Sequence, residues 1–195
     1  MNTGDKIGLF FGSFNPIHMG HLIIANIMVE TTDLKKVWFV VSPQNPFKPS
    51  KGLLHEFDRY DMVRAAAHDN YKLEVSDIEF SLPKPSYTIH TLVHLTERHP
   101  DKQFKVIIGE DNLEGFTRWK NHERILSDYG LYVYPRPNAQ LSELKMHPHV
   151  KMVEAPMLDI SATFIRNCIR NRQSVRYLVP DPVEEMIRAK GFYLN

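Results

Sequence analysis

Residues 6–21 read KIGLFFGSFNPIHMGH. The apolar run from Lys6 to Phe11 stops at Gly12 and has the character of a buried parallel strand. A turn-rich stretch follows from Gly12 to Pro16, and a helical pattern then runs from His18 to Thr31. Strand, glycine turn and helix in that order open an α/β unit whose helix N-terminus faces the ligand side of the sheet. Gly12 lets a ligand approach the backbone closely, and Pro16 suits the first turn of the helix, where its missing N–H leaves no bond unmade. His18 and His21 are three apart, so they share one helix face. In the first turn, unpaired N–H groups and the helix dipole favour an anion. Two imidazoles at such an end make a phosphate site. Two competing readings are an ordinary helix start carrying two histidines and a zinc pair. Zinc would need a third or fourth ligand, and the sole cysteine is far away in sequence.

Outward from this stretch, apolar strand patterns alternate with helical ones. Strands are predicted at Val37–Val41, Tyr71–Val75, Phe104–Ile108, Leu131–Tyr134 and Val150–Val153. Helices are predicted at Glu56–Asp69, Tyr87–Arg98, Leu113–Trp119, Asn121–Asp128, Ile160–Asn171 and Pro182–Lys190. The alternation predicts a doubly wound, mostly parallel sheet with helices on both faces. Residues 42–55 carry three prolines and two lysines and form a long loop, of the kind that often holds function. No repeat or domain-scale linker interrupts the pattern. One domain is expected over residues 1–195, with about residues 160–195 as a small C-terminal helical part.

The 195 residues carry a formal net charge of +1, so no global field draws the protein to DNA or to a membrane surface. A polyanion would have to be held by a local cluster. A nucleic-acid partner and a membrane are therefore not expected, and small phosphorylated ligands are. Cys168 is the single cysteine. It excludes an internal disulfide and fits a reducing cytoplasm. No apolar run has the length of a signal peptide or a membrane span.

A second anion-binding pattern stands late in the chain at Ile160–Arg166, ISATFIR. Ser161 is a natural N-cap, Thr163 lies in the first turn, and Arg166 projects from the same turns. Hydroxyls, helix N–H groups and a guanidinium together bind phosphate well. Alone, the segment would pass for a capped amphipathic helix with a solvent arginine. GSFNPIHMGH, however, resembles the G-x-F-x-P-x-H-x-G-H signature of the HxGH nucleotidyltransferases, and ISATFIR resembles the I-S-x-T-x-I-R motif of the same superfamily. The two stand in the right order. The resemblance implies a Rossmann-like fold, ATP phosphates held by His18, His21 and Arg166, and ATP contacts at Gly12, Ser13, Phe14, Ile160, Ser161 and Thr163.

Three middle segments are similar to the bacterial nicotinate mononucleotide adenylyltransferases in particular, and with them the resemblance runs over essentially the whole chain. SPQNPFKP (42–49) is similar to the loop that brings a lysine, here Lys48, to the phosphates. PSYTIHTL (85–92) resembles S-Y-T-x-D-T-L, which implies that the N–H groups of Tyr87 and Thr88 receive the nicotinate carboxylate. His90 stands where that pattern has Asp; with His94 it also has helical metal-pair spacing, although both suit a solvent face. IGEDNLEGFTRW (108–119) resembles I-G-x-D-x-L-x-x-F-x-x-W. Gly109 would admit adenosine against the backbone, Asp111 accept from ribose hydroxyls, and Trp119 stack on the pyridine ring. Asn15 and Arg136, in YPRP, join the mononucleotide side.

The implied reaction joins ATP and nicotinate mononucleotide to give deamido-NAD and pyrophosphate, with magnesium carried on ATP rather than in a protein cage. The usual bacterial wording is GGTFDPIHxGH, and Phe11, Ser13 and Asn15 depart from it. GSFNP also resembles the eukaryotic nicotinamide mononucleotide enzymes. Nicotinamide mononucleotide or phosphopantetheine as acceptor, and a non-catalytic nucleotide-binding regulator, are the alternatives. An oligomer is compatible with the sequence.

Overall fold

The computed structural model describes residues 4–44, 52–137 and 139–194. Six strands form one sheet: β1 (Asp5–Gly12), β2 (Lys36–Val41), β3 (Leu73–Ser76), β4 (Lys102–Gly109), β5 (Leu131–Tyr134) and β6 (Val150–Met152). Their order is β3-β2-β1-β4-β5-β6, and every pairing is parallel. The chain winds from β1 outward to β3, returns to place β4 against the other side of β1, and winds outward again. The switch point therefore lies between β1 and β4, and ligands of such sheets sit beyond the strand ends there.

A parallel sheet must be covered on both faces, because its strands are apolar on both. Alternate residues sort accordingly. Phe10, Val37, Phe39 and Ile107 point into one apolar layer, with α1 (Met19–Thr31) and α2 (Glu56–Ala67). Ile7, Leu9, Trp38, Val106 and Ile108 point into the other, covered by α3 (Thr88–Arg98) and the segments after β4. Those segments are α4 (Glu110–Leu113), a 3-10 turn at Phe116–Arg118, α5 (His122–Arg124) and a π-helical turn at Ile125–Tyr129. The helices α6 (Ala162–Arg170) and α7 (Asp181–Lys190) close the first layer through Ile165, Ile169, Val183 and Ile187. No described helix is long and apolar enough to cross a membrane.

Several boundaries differ from the sequence expectation for local reasons. Pro16 is not in the first turn of α1. A cis Asn15–Pro16 bond lies in the turn ahead of it, and His18 is the N-cap in an extended conformation. Tyr71 is outside β3 and largely exposed. The helix expected at Leu113–Trp119 instead starts directly at the end of β4, with Gly109 as N-cap, and breaks before a separate 3-10 turn. Between β3 and α3 a 3-10 turn covers Ile78–Ser81.

Candidate active site

A cleft of about 510 Å³ opens where β1 and β4 end. Its walls include the turns after β1, β2, β4 and β5, the start of α1, the segment entering α3 and the residues leading into α6. Among its lining are Gly12, Ser13, Phe14, Asn15, His18 and His21. Tyr87, Thr88, Gly109, Asp111, Trp119 and Arg136 also line it, as do Ile160, Ser161, Thr163 and Arg166. The sequence-selected residues thus meet in one place, apart from Lys48, which lies outside the described residues.

The two histidines sit at the floor. Their rings stack at 3.7 Å between centroids, and the His18 backbone N–H donates to His21 Nδ1 at 3.3 Å. Gly20 between them is a matter of room, since a Cβ there would stand 3.1 Å from His18 Nδ1. Phe14, at a positive φ of 45°, wedges its buried ring edge-on against His21 at 5.1 Å. It is packed more as a support for the imidazole than as a ligand surface. His18 is buried, and Nδ1 finds no hydrogen-bond partner among the described residues. Burial first, and the positive charge of Arg136 second, push its pKa down to about 4. An imidazole so placed is neutral at pH 7, and an arriving anion would favour its charged form.

The second motif is bonded onto the first. Ser161 caps α6, its hydroxyl accepting from the Phe164 N–H at 3.2 Å. Arg166 donates to the Asn15 carbonyl at 2.8 Å and to the Thr163 hydroxyl at 3.1 Å. Two helix N-termini, one guanidinium and two imidazoles therefore share a rim. Asn15, assigned by sequence to the mononucleotide, spends its side chain inside the protein. It donates to the Gly52 carbonyl at 3.0 Å, and its Oδ1 accepts from the Leu54 N–H at 3.3 Å and the Tyr193 hydroxyl at 2.9 Å. Arg136 lies across from Asp111 at 3.8 Å and donates to the Leu158 carbonyl at 3.4 Å, which puts it beside Gly109 rather than beside Tyr87. At Gly109 a Cβ would come within 2.4 Å of Asp111 Oδ1 and 3.0 Å of the Arg136 side chain, so a larger residue there would have to displace both.

At the opposite end Tyr87 is the N-cap of α3, extended and without a side-chain cap bond, so the first N–H groups of the helix face the cleft end. Trp119 leans on buried Phe116, ring centroids 5.4 Å apart. His90 is exposed, and no group of three or more His, Cys, Asp or Glu among the described residues is placed to hold a metal.

Sequence reasoning missed two groups. Arg59 is fully buried and donates to four carbonyls: Leu54 at 2.9 Å, Ser13 at 2.6 Å, Ser42 at 2.8 Å and Pro43 at 3.1 Å. It ties the turn after β1 to the segments after β2 and before α2. The signal was phase: Arg59 shares the buried face of α2 with Met62, Val63 and Ala66, at helical i, i+3, i+4, i+7 spacing. Glu79 is buried against the cleft, accepting from the Thr91 hydroxyl at 2.8 Å. Burial pushes its carboxyl up, opposed by the hydroxyls of Thr91, Ser42 and Ser86. No periodicity in its short 3-10 turn could have marked it.

Residues 9–168 match the cytidylyltransferase-like family. A probable nicotinate-nucleotide adenylyltransferase of Cytophaga hutchinsonii is 62% identical over 190 residues, covering 97% of this chain and 99% of that protein. One of Flavobacterium johnsoniae is 48% identical over 190 residues, covering 96% and 98%. Among solved structures, Plasmodium falciparum nicotinic acid mononucleotide adenylyltransferase complexed with NaAD superposes with a TM-score of 0.82 at 19% identity, covering 97% of each chain. That last likeness establishes the fold.

Proposed function

Because the chain belongs to the nicotinate-nucleotide adenylyltransferase family, we propose that its cleft brings the phosphate of nicotinate mononucleotide against the α-phosphorus of ATP. A phosphate oxygen of the mononucleotide forms the new P–O bond as the bond from the α-phosphorus to the bridging oxygen breaks. Deamido-NAD and pyrophosphate result, and no protein nucleophile is needed. Catalysis is positioning and stabilisation of charge on the transferring group.

His18 and His21 contact the α- and β-phosphates. Arg166, Thr163, Ser161 and the N-terminus of α6 take the distal phosphates, whose departure as pyrophosphate they favour. Gly109 and Asp111 receive the adenosine, with Ile160, Gly12 and Ser13 along its path and Arg136 close to Asp111. Tyr87 and Thr88 receive the nicotinate carboxylate on helix N–H groups, Trp119 covers the pyridine ring, and Lys48 adds positive charge. Magnesium fits as the counter-ion that ATP brings with it, since the cleft offers a single carboxylate at its ATP end. The reaction is one of NAD biosynthesis, and we place it in the cytoplasm.

The observation that carries this reading is the bond from Arg166 to the Asn15 carbonyl, which makes one phosphate rim of two motifs distant in sequence. Pyrophosphate release with ATP and three acceptors, nicotinate mononucleotide, nicotinamide mononucleotide and phosphopantetheine, tests it. The highest kcat/KM is expected with nicotinate mononucleotide. No release with either pyridine mononucleotide would overturn it.

A further inference from the structure

The acceptor end of the cleft carries a cation with no part in the scheme above. Lys120, next to Trp119, is exposed and lines the cleft, and its Nζ lies 4.8 Å from the centroid of the Tyr87 ring. The other charged side chains of the lining besides the histidines are Glu79, Asp111, Arg136 and Arg166. Asp111 and Arg136 face each other at 3.8 Å, and Arg166 is held by Thr163 and Asn15, all at the ATP end. Lys120 makes no ion pair among the described residues. Of the two carboxylates among the described lining residues, Asp111 faces Arg136, and Glu79 is buried, where burial favours its neutral form.

We propose that Lys120 is a specificity-determining residue: its ammonium, parked on the Tyr87 ring, provides the charge that prefers a pyridine bearing a carboxylate over one bearing an amide. The inference rests on the adenylyltransferase reading and deepens it. The N–H groups of α3 can donate to a carboxylate or to an amide oxygen. A full positive charge distinguishes the two, because only one acceptor is anionic there. The stack on Tyr87 keeps the ammonium near the helix N-terminus without an anionic partner to compete with the ligand. For an exposed lysine the screened attraction corresponds to an effect on binding of up to about fivefold.

The test compares wild type, Lys120→Met and Lys120→Arg with nicotinate and nicotinamide mononucleotide at fixed ATP and magnesium. Met keeps the aliphatic stem over Tyr87 and removes the charge. It should raise the KM for the acid about fivefold, leave the KM for the amide within about twofold, and change kcat little; Arg should restore the acid KM. The wild-type acid-to-amide ratio should fall as salt is raised, since the mononucleotide phosphate is common to both acceptors and cancels. The ratio of the Met variant should not. Equal KM changes for both acceptors would mean that Lys120 merely packs on Tyr87, and would overturn the proposal. An unchanged ratio in the Met variant would do the same while leaving the adenylyltransferase reading intact. Wild type that uses neither pyridine mononucleotide would overturn that reading and this inference with it.

Discussion

Replacing Arg59 by Met should cost more stability than any other single change in α2. The methionine fills much of the same space, so the loss is chiefly polar. Four main-chain carbonyls, of Ser13, Ser42, Pro43 and Leu54, each lose a donor of a buried guanidinium. Bonds to charged donors are worth about 1.5–3 kcal/mol each. The guanidinium's own desolvation offsets part of that, as the downward push of burial on its pKa attests. Water can also reach the carbonyls on the cleft side once the arginine is gone. A net loss of about 3–5 kcal/mol remains, similar to removing one partner of a buried pair. For a chain of this size that is a fall in Tm of roughly 10 °C. Calorimetric and far-UV dichroism melts of Arg59→Met measure it. Arg59→Lys, with three donors but no planar fork, should fall between the two and serves if the Met variant does not fold. Because the Ser13 and Ser42 segments border the cleft, KM for ATP should rise in whichever variant folds. A Met variant that melts within about 2 °C of wild type with unaltered kinetics would refute the assignment of Arg59 as the clamp on these loops.

His18→Ala should leave the dichroism spectrum unchanged and remove most turnover; near-normal kcat in a folded variant would sink the phosphate-floor reading. Arg166→Ala should weaken ATP more than the mononucleotide in calorimetric titration, and equal losses would move Arg166 away from the distal phosphates. The depressed pKa of His18 predicts a pH dependence of stability. Its folded value is about 4 against 6.5, so the unfolded chain binds more protons between those limits. Stability is then fully present above pH 6.5 and falls as pH drops towards 4. The loss is about 3 kcal/mol. Urea melts of wild type and His18→Asn from pH 7 to 4 should diverge by that amount, and parallel curves would contradict it.

The alternation of strand and helix patterns was enough for the layered sheet, because a parallel strand is apolar on both faces and its crossover helix on one. The residues of the proposed phosphate rim could be picked out because they are local: His18, His21, Ser161 and Arg166 each stand at a helix start that a short pattern marks, and all four line the shared cleft. What sequence could not convey was how neighbours far along the chain consume a side chain. Asn15 reads as a ligand residue but is bonded to Gly52, Leu54 and Tyr193. Arg59 carries a signal of burial in its helical phase, but nothing local marks it as the hub of three loops. Phe14 adopts a left-handed backbone that burial of its ring among Phe10, His21 and Phe39 offsets. Pro16 was misplaced because a proline favoured at helix starts is equally at home in the turn before one.

The Tyr193 hydroxyl reaches back 178 positions to Asn15, the Leu178 carbonyl accepts from the Met19 N–H at 2.9 Å, and Arg166 joins the same loop. On the ribosome, these partners arrive late. At about 5–20 residues per second, roughly 10 to 35 s separate the synthesis of Asn15 from that of Tyr193. Until Arg166 is made the first helix has its histidines but neither the guanidinium nor the tyrosine, and until Tyr193 is made the turn still lacks the last of its partners. A nascent chain therefore has an incomplete version of the proposed phosphate rim, and on that proposal it should bind ATP poorly. If the rim binds ATP as proposed, competence is acquired in the closing moments of translation, and a polypeptide stalled or cut short before Tyr193 would not tie up nucleotide that it cannot use.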